Sequence, residues 1–405
     1  MRVLLFSTLY PNQEQPNHGV FVENRIRQTL ALGGVAVTVV APVPFFPFRS
    51  NVWGRYAVYA RVPQIEQRAG LTVHHPRFAA IPRVGARLTA QFLYRAALRR
   101  VRQLMAQGLR FDVIDAHYFY PDGVAAAMLA RAVGKPLLIT GRGSDLTLHT
   151  RDPVAKTQIL NAARAADALI TVSQSLKRSL VEFGIEPNRV AVLRNGVETD
   201  LFKPLPREAC RAALNIGRFC LVSVGGLIPR KGHDITIEAM TQLPDCELLI
   251  AGGGPLRAAL EARAKALGVA DRVRFLGEVA HRDLPNLYNA ADAMVLMSSR
   301  EGWANVILES LACGSPVVAS DVGGANEIIR APVAGTLVPR RDVTALAQHI
   351  QALRANLPER AQTRAYAEAF GWGPVAAANK ALLTAVANRK PNLVPASFSV
   401  EGGGV

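Results

Sequence analysis

The sequence predicts an α/β protein with two doubly wound, Rossmann-like parallel-sheet domains. Short apolar strands alternate with helices at intervals of roughly 20–30 residues, a pattern typical of parallel sheets covered by helices on both faces. The stretch 194–206 contains an Asn-Gly pair and two prolines, and it separates two such series, so it predicts a domain boundary. A chain of 405 residues is long enough for two or three domains with substantial cores.

The first predicted domain spans residues 1–195. Its first apolar run, 3–7, is too short for a signal peptide and lacks a small-residue cleavage site after it, which favours a β-strand. We interpret 42–70, which is rich in proline and aromatic residues, as a loop with an irregular insertion, and 194–198 as a tight turn. Helices are expected at 21–32 and 86–107, and further strands at 35–41, 113–116, 136–140, 168–172 and 189–193.

The second predicted domain spans residues 196–372 and repeats the pattern. A glycine-rich basic loop, 225–233, follows its first strand and enters a helix. The expected strands are 219–224, 247–251, 273–276, 293–297 and 316–319. A last helix is expected at 374–387, within a separate segment 373–389, and residues 390–405 end in a glycine run that predicts a disordered tail.

The most informative stretch runs from Glu301 to Glu309. The strand at 293–297 leads into a polar loop that holds Glu301, Gly302 lets the backbone turn, and a helix is predicted over 303–311. Open α/β sheets bind ligands at the carboxyl ends of their strands, where this loop lies. The start of the helix would offer free backbone N–H groups to a phosphate, and these belong to Ala304, Asn305 and Val306.

The two glutamates have separable roles in this prediction. Glu301 precedes the helix and is free to reach the hydroxyls of a ligand. Glu309 lies about six residues into the predicted helix, which places it roughly 9 Å along the helix at ~1.5 Å per residue. A ligand with a hydroxylated end, a diphosphate middle and a ribose end would match this layout. Taken alone, the same pair also suits a turn residue followed by a solvated helix residue.

The motifs around this stretch resemble those of the retaining family 4 glycosyltransferases of GT-B fold. The resemblance rests on Glu301-x7-Glu309, on the run 313–319 (CGSPVVA) and on 323–327 (GGANE), and it extends over nearly the whole chain. It implies two Rossmann-like domains that face a central cleft, with the C-terminal helix crossing back to the first domain. The first domain would bind the acceptor and the second the nucleotide sugar.

The resemblance also implies roles for individual residues. Glu301, His117, Arg230 and Lys231 would be the catalytic groups, with Glu301 on the sugar hydroxyls and Glu309 on the ribose. The implied donor-binding residues are Gly225, Gly226, Arg230, Lys231, Val279, Gly302, Trp303, Ala304, Asn305, Val306 and Glu309. Contacts to the acceptor or sugar are expected from Gly19, Arg142 and Asp145.

The basic loop departs from the family at one position. An arginine commonly follows the first glycine of this loop in the family, whereas this chain has Gly226 there. The grip on the diphosphate would therefore rest on Arg230 and Lys231. The alternative is that Arg230 and Lys231 are a solvated pair at the start of a helix. Cations at a helix N-terminus are unfavourable because they oppose the helix dipole, so this placement favours a functional role.

The implied reaction is sugar transfer from a nucleotide diphosphate sugar to an acceptor, with retention at the anomeric carbon. Asp-x-Asp, the metal-binding pair of GT-A enzymes, is absent, so we expect no metal and no cofactor. The segments 8–11, 18–19 and 117–123 resemble transferases of teichuronic acid or exopolysaccharide synthesis, which implies a glycan or lipid-linked acceptor. Alternatives are a GT-B nucleotide-sugar epimerase or a basic nucleic-acid-binding protein, but no nucleic-acid motif supports the latter and no nucleic acid partner is expected.

Composition leaves the location of the protein open to two readings. The net charge of +16 and an arginine-rich helix at 86–107, with an apolar stripe, suit either docking on an anionic membrane or an ordinary amphipathic helix with a solvated face. Four cysteines without metal-type spacing predict buried free thiols in a reducing compartment. We therefore expect a cytoplasmic protein, and the first of these two readings would place it peripherally on the inner face of the cell membrane.

Overall fold

The computed structural model describes residues 1–80 and 88–389. The chain forms two compact units. Unit 1 comprises Met1–Asn195 together with residues 373–389, and unit 2 comprises Gly196–Trp372. The predicted tail 390–405 lies outside the described residues, as does the start of the helix expected at 86–107.

Unit 1 is built on an eight-stranded sheet with the order β10-β9-β8-β7-β1-β2-β5-β4. All neighbours in it are parallel except β4, which runs antiparallel to β5. Its strands are β1 Arg2–Phe6, β2 Ala36–Val40, β4 Ile65–Arg68, β5 Leu71–His74, β7 Val113–His117, β8 Leu137–Gly141, β9 Ala168–Thr171 and β10 Val190–Val192, and a separate pair consists of β3 Val43–Pro44 and β6 Arg77–Phe78. The central strands are buried along almost their whole length because helices cover both faces of a parallel sheet.

The helices of unit 1 flank this sheet and include the last helix of the chain. They are α1 Val20–Ala31, α2 Arg55–Arg61, α3 Thr89–Ala106, α4 Val124–Val133, α5 Ser144–Thr147, α6 Pro153–Ala165 and α7 Gln174–Glu182. The last helix, α16 Trp372–Ala387, packs Leu382 and Leu383 into the core of unit 1 beside Val3 and Leu138. This return of the chain to unit 1 is the predicted crossover.

Two predictions for unit 1 are wrong in detail. Residues 42–70 contain β3, α2 and β4, because Arg77 of β6 donates hydrogen bonds to the carbonyls of Tyr59 and Val62 and so holds the segment together. Residues 194–198 form no tight turn. Arg194 and Asn195 are buried, and Val197 pairs in extended conformation with Gly371.

Helix α3 uses its apolar stripe for the core of unit 1. Leu93, Ala97, Val101 and Leu104 are buried, and the helix packs on α4 and on β6. The stripe is therefore not available to a membrane, which corrects that part of the membrane hypothesis. The opposite face exposes Arg95, Arg99 and Arg102.

Unit 2 is built on a six-stranded parallel sheet with the order β13-β12-β11-β14-β15-β16. The strands are β11 Phe219–Val224, β12 Cys246–Ala251, β13 Val273–Gly277, β14 Ala293–Leu296, β15 Val317–Ser320 and β16 Gly335–Val338. The helices are α8 Arg207–Ala213, α9 His233–Ala239, α10 Arg257–Ala266, α11 Leu284–Ala290, α12 Asn305–Ala312, α13 Ala325–Ile328, α14 Val343–Ala355 and α15 Arg360–Glu368. Helix α12 starts two residues later than predicted, because Ala304 has non-helical dihedral angles (φ −90°, ψ 85°) and caps the helix.

Candidate functional site

The order of strands in unit 2 brings two polar loops together. The chain order along the sheet reverses between β11 and β14, which are neighbours although two strands and three α-helices separate them in sequence. Ligands of open α/β sheets bind at the carboxyl edge at such a point. The loop after β11 carries Arg230 and Lys231, and the loop after β14 carries Glu301.

These two loops meet in a buried ion cluster. Lys231 Nζ lies 2.7 Å from Glu301 Oε1, and Arg230 Nη1 lies 3.3 Å from Glu301 Oε2. The hydroxyl of Ser298 donates to the same Oε1 at 2.7 Å. The sequence predicts a Glu301 side chain that is free in its loop. The structure instead shows this carboxylate paired with both cations that were predicted to bind a diphosphate.

The cluster keeps Glu301 ionised despite its burial. The side chain of Glu301 is 7% exposed, and such burial acts to raise the pKa of its carboxyl. The charges of Lys231 and Arg230 and the hydrogen bonds from Lys231 and Ser298 outweigh burial, so the pKa is lowered overall. The site therefore presents a carboxylate with one cation close to each of its two oxygens.

Two glycines allow the loops to approach this closely. Gly323, with φ +51°, lies so near the Glu301 carbonyl that an added Cβ would stand 1.9 Å from its oxygen. Gly232, with φ +70°, leaves only 2.1 Å between such a Cβ and the carbonyl oxygen of Met297 at the end of β14. Any larger residue at either position would push the Glu301 loop away.

Glu309 lies on α12 in a second polar cluster of unit 2. The hydroxyl group of Tyr288 donates a hydrogen bond to Glu309 Oε2 at 3.0 Å, and His281 Nε2 lies 3.2 Å from Glu309 Oε1. Glu309 is 7% exposed and Tyr288 is fully buried. Glu309 is thus no solvated helix residue.

The remaining predicted donor residues of unit 2 lie on the same sheet edge. Gly225 and Gly226 follow β11, and a Cβ on Gly225 would stand 3.3 Å from Lys231 Cε, so the loop packs on the lysine stem. Val279 follows β13 and is half-buried. Gly302, Trp303 and Ala304 form the approach to α12, whose first turn contains Asn305 and Val306. Trp303 and Ala304 are buried.

Unit 1 has its own reversal of strand order, between β1 and β7, where His117 ends β7. His117 is 1% exposed, and both ring nitrogens face protein groups. Arg142 Nη2 lies 2.6 Å from Nδ1, and Asp115 Oδ2 lies 3.3 Å from Nε2. A ligand contact by His117 would require one of these interactions to be exchanged.

Burial governs the charge states in this cluster. Burial, reinforced by the charge of Arg142 and opposed by Asp115, lowers the pKa of His117 to about 4, so the imidazole is neutral at pH 7. Because a guanidinium only donates, His117 Nδ1 accepts from Arg142 and the ring proton lies on Nε2, towards Asp115. Asn195 Oδ1 accepts from Arg142 at 2.9 Å and from the buried Arg25 at 3.0 Å.

The other predicted residues of unit 1 shape its loops. Asp145 is buried and accepts hydrogen bonds from the backbone N–H groups of Phe119, Arg142 and Gly143. Gly19, with φ +74°, caps α1 where a Cβ would stand 2.3 Å from the Leu9 carbonyl oxygen. These contacts are internal to unit 1.

Sequence reasoning missed several members of both clusters. Asp115 stands two residues before His117 on one strand, so the period of two predicts that both side chains share a face, and this signal was present. Arg25 and Asn195 come from distant segments and carry no local signal, and the same is true of Tyr288 and His281. The structure shows no group of three or more His, Cys, Asp or Glu residues arranged to hold a metal ion within residues 1–80 and 88–389.

The two halves of the chain match two family models. Residues 21–201 match the model described as Glycosyltransferase Family 4, and residues 207–370 match Glycosyl transferases group 1. The D-inositol 3-phosphate glycosyltransferases of Mycobacterium tuberculosis and Mycobacterium bovis are 32% identical to this chain over 291 residues. That match covers 65% of this chain and 59% of those relatives, less than two thirds of their length.

Solved structures of low sequence identity share the fold. Sucrose-phosphate synthase from Thermosynechococcus elongatus superposes with a TM-score of 0.79 at 22% identity, covering 94% of this chain and 97% of that chain. HepE from Anabaena, solved with UDP and glucose, gives a TM-score of 0.72 at 21% identity, covering 95% and 99%. Both units thus have the Rossmann-like architecture of GT-B proteins, as predicted. The chain is thus similar to glycosyltransferase family models over residues 21–201 and 207–370, and it shares the GT-B fold.

Proposed function

We propose that this protein is a retaining glycosyltransferase that moves a sugar from a nucleoside diphosphate sugar to a hydroxyl acceptor. The observation that carries the proposal is the convergence of Lys231, Arg230 and Glu301 where the strand order of unit 2 reverses. Two cations suit a diphosphate, and a carboxylate between them suits the hydroxyls of a sugar attached to it. The curated relatives and the UDP and glucose bound by HepE support this class of donor.

The proposed reaction needs no protein nucleophile. The bond between the anomeric carbon and the diphosphate oxygen breaks, and Lys231 and Arg230 stabilise the charge that develops on the leaving group. The acceptor oxygen attacks on the same face and passes its proton to that leaving phosphate. The charge compensation comes from side chains, so the proposed enzyme is independent of divalent metal.

The donor would also rearrange the ion cluster. Glu301 neutralises part of the charge of both cations through its ion pairs with them. A diphosphate that binds Lys231 and Arg230 takes over this role, and the Glu301 carboxylate can then accept hydrogen bonds from sugar hydroxyls. Glu309, eight residues later, would meet the ribose.

We propose an acceptor from cell-surface glycan synthesis, either a glycan or a lipid-linked saccharide. The proposal rests on the resemblance of segments 8–11, 18–19 and 117–123 to such transferases. The names of the curated relatives suggest D-inositol 3-phosphate as a second acceptor to be tested. Transfer to one acceptor and not the other decides between them.

Binding and turnover experiments test the proposal in two steps. A panel of nucleoside diphosphates is screened for thermal stabilisation, where a ligand at 100 times its Kd should add about 2.7 kcal/mol. The selected sugar donor is then incubated with acceptors in excess chelator, and product with a retained anomeric configuration is expected. No stabilisation by any diphosphate contradicts the donor class, while turnover that requires added manganese or magnesium contradicts metal independence. Epimerised donor without acceptor would indicate a nucleotide-sugar epimerase.

We also propose that unit 1 docks on an anionic membrane surface through electrostatics. The support is the exposed basic face of α3, formed by Arg95, Arg99 and Arg102, together with exposed aromatic side chains on the segment that follows β3. Phe45, Phe48 and Trp53 are 60%, 52% and 48% exposed. No helix among residues 1–80 and 88–389 is both long and apolar enough to span a bilayer.

A further inference from the structure

The environment of Glu309 contains two groups that have no role in the proposed reaction as described above. Glu309 on α12 receives the hydroxyl of Tyr288 from α11, and it faces His281, which lies in the short 3-10 turn before α11. These three side chains come from three separate elements of unit 2. Their meeting at one carboxylate requires a physical reason.

The two partners occupy opposite oxygens of the carboxylate. His281 Nε2 faces Oε1 and the Tyr288 hydroxyl faces Oε2. An ionised carboxylate offers about four acceptor sites on its two oxygens, so this arrangement leaves about one site on each oxygen. A vicinal diol, such as the 2′- and 3′-hydroxyls of a ribose, can donate one hydrogen bond to each.

Both partners are themselves held in place. Tyr288 is fully buried, and its carbonyl oxygen accepts a hydrogen bond from Ser315 Oγ at 2.6 Å. Burial and the neighbouring Glu309 raise the pKa of the Tyr288 hydroxyl well above its usual value, so it remains a donor. The ring of His281 packs edge-on against the buried Phe202, with 5.0 Å between ring centroids, and its side chain is 26% exposed.

We propose that His281 and Tyr288 are positioning residues that fix the Glu309 carboxylate for two-point recognition of the ribose diol of the donor. The inference rests on the proposed function, because it requires a nucleoside diphosphate at this site. Holding the carboxylate in one rotamer before the ligand arrives removes an ordering cost from binding. His281 and Tyr288 act through Glu309 and need not touch the ligand.

The test compares two ligands rather than two proteins alone. Titration calorimetry measures the Kd of the nucleoside diphosphate selected by the panel and of its 2′,3′-dideoxy analogue, and the ratio of the two is the ribose preference. In the unmodified protein we expect a preference of about tenfold or more, since hydrogen bonds to a charged group are each worth about 1.5–3 kcal/mol. Glu309→Gln should abolish most of it.

The positioning residues are then changed one at a time. His281→Leu and Tyr288→Phe should reduce the ribose preference to within about threefold, and His281→Gln, which keeps an N–H donor, should largely restore it. Arg282→Ala serves as the control, because this neighbour of His281 has an 85% exposed side chain and should leave the preference unchanged.

Two results would overturn the inference, and a third would overturn its basis. If His281→Leu and Tyr288→Phe weaken both ligands by the same factor, the two residues support the fold and do not position Glu309. If Glu309→Gln leaves the ribose preference intact, the carboxylate does not bind the two ribose hydroxyls. If the unmodified protein binds no nucleoside diphosphate, the proposed function itself fails.

Discussion

Replacing Lys231 by methionine should destabilise unit 2 by leaving a buried carboxylate underpaired. The change removes the ammonium 2.7 Å from Glu301 Oε1 and keeps the length of the apolar stem. Breaking a buried ion pair by removing one partner costs about 3–5 kcal/mol. Arg230 and Ser298 remain in place, and the Lys231 side chain is 14% exposed, so we expect a smaller loss of about 2–3 kcal/mol.

A second variant, Glu301→Gln, allows the interaction free energy between Lys231 and Glu301 to be measured by a double-mutant cycle. Lys231→Met with Glu301→Gln removes both buried charges, so most of the lost stability should return. The interaction free energy of the double-mutant cycle should exceed about 1.5 kcal/mol. For a unit of this size, the single variant should unfold about 4–12 °C lower, at roughly 2–4 °C per kcal/mol.

The effect should depend on pH in a defined direction. Because the pKa of Glu301 is lowered in the folded protein, the ion pair stabilises fully above the ordinary carboxyl pKa of about 4.3 and is lost as pH falls through the lowered value. In Lys231→Met, burial is less opposed and the pKa of Glu301 rises. Its carboxyl then protonates at a higher pH than in the unmodified protein, so the deficit of the variant should shrink as the pH falls.

Calorimetric unfolding of the four proteins at pH 7 and pH 4.5 provides the measurement. Additive effects of the two substitutions within about 0.5 kcal/mol would refute the reasoning, as would a deficit that is independent of pH. Either result would mean that Lys231 and Glu301 do not form a coupled buried pair.

Three further predictions concern the glycine contact, the glutamates and the membrane. Gly323→Ala should weaken nucleoside diphosphate binding and lower the unfolding temperature, because its Cβ meets the Glu301 carbonyl, whereas Gly217→Ala, with open space around it, should do neither; equal behaviour of the two in thermal-shift assays would contradict this. Glu301→Gln should cost turnover heavily and diphosphate affinity little, and Glu309→Gln should weaken the diphosphate itself; the reverse pattern in calorimetry and kinetics would exchange the assigned roles. Glutamine at the three exposed arginines of α3 should reduce cosedimentation with vesicles that contain anionic lipid, and equal binding to neutral and anionic vesicles would exclude electrostatic docking.

The alternation of strands and helices could be predicted because parallel strands buried on both faces are continuous apolar runs. Strand β11, Phe219–Val224, has the predicted bounds for this reason. The segment 42–70 could not be predicted, since its elements are short and depend on hydrogen bonds from Arg77, which lies beyond it in sequence. The apolar face of α3 was visible in the sequence, but whether it faces the core or a lipid surface depends on its neighbours.

For the site, residue types were predictable and pairings were not. Glu301 and Lys231 were singled out separately, but they are 70 residues apart and meet because β11 and β14 are adjacent. Their mutual neutralisation follows from that adjacency, which no local pattern encodes. His281 and Tyr288 have no local signal either, because the carboxylate they share belongs to another helix.

The four cysteines allow the opening of unit 2 to be measured by thiol alkylation. All of them, Cys210, Cys220, Cys246 and Cys313, belong to unit 2 and are buried free thiols, whereas residues 1–195 contain none. Burial raises the pKa of each, to about 12 for Cys220 and Cys313, so hardly any reactive thiolate exists in the folded state. Alkylation therefore requires unit 2 to open, and opening of unit 1 produces no alkylation because unit 1 has no cysteine. If Lys231→Met destabilises this unit by about 2–3 kcal/mol, its thiols should react about 30–150 times faster under native conditions. An unchanged alkylation rate would mean that the thiols become accessible through an opening motion that leaves the Lys231–Glu301 ion pair intact.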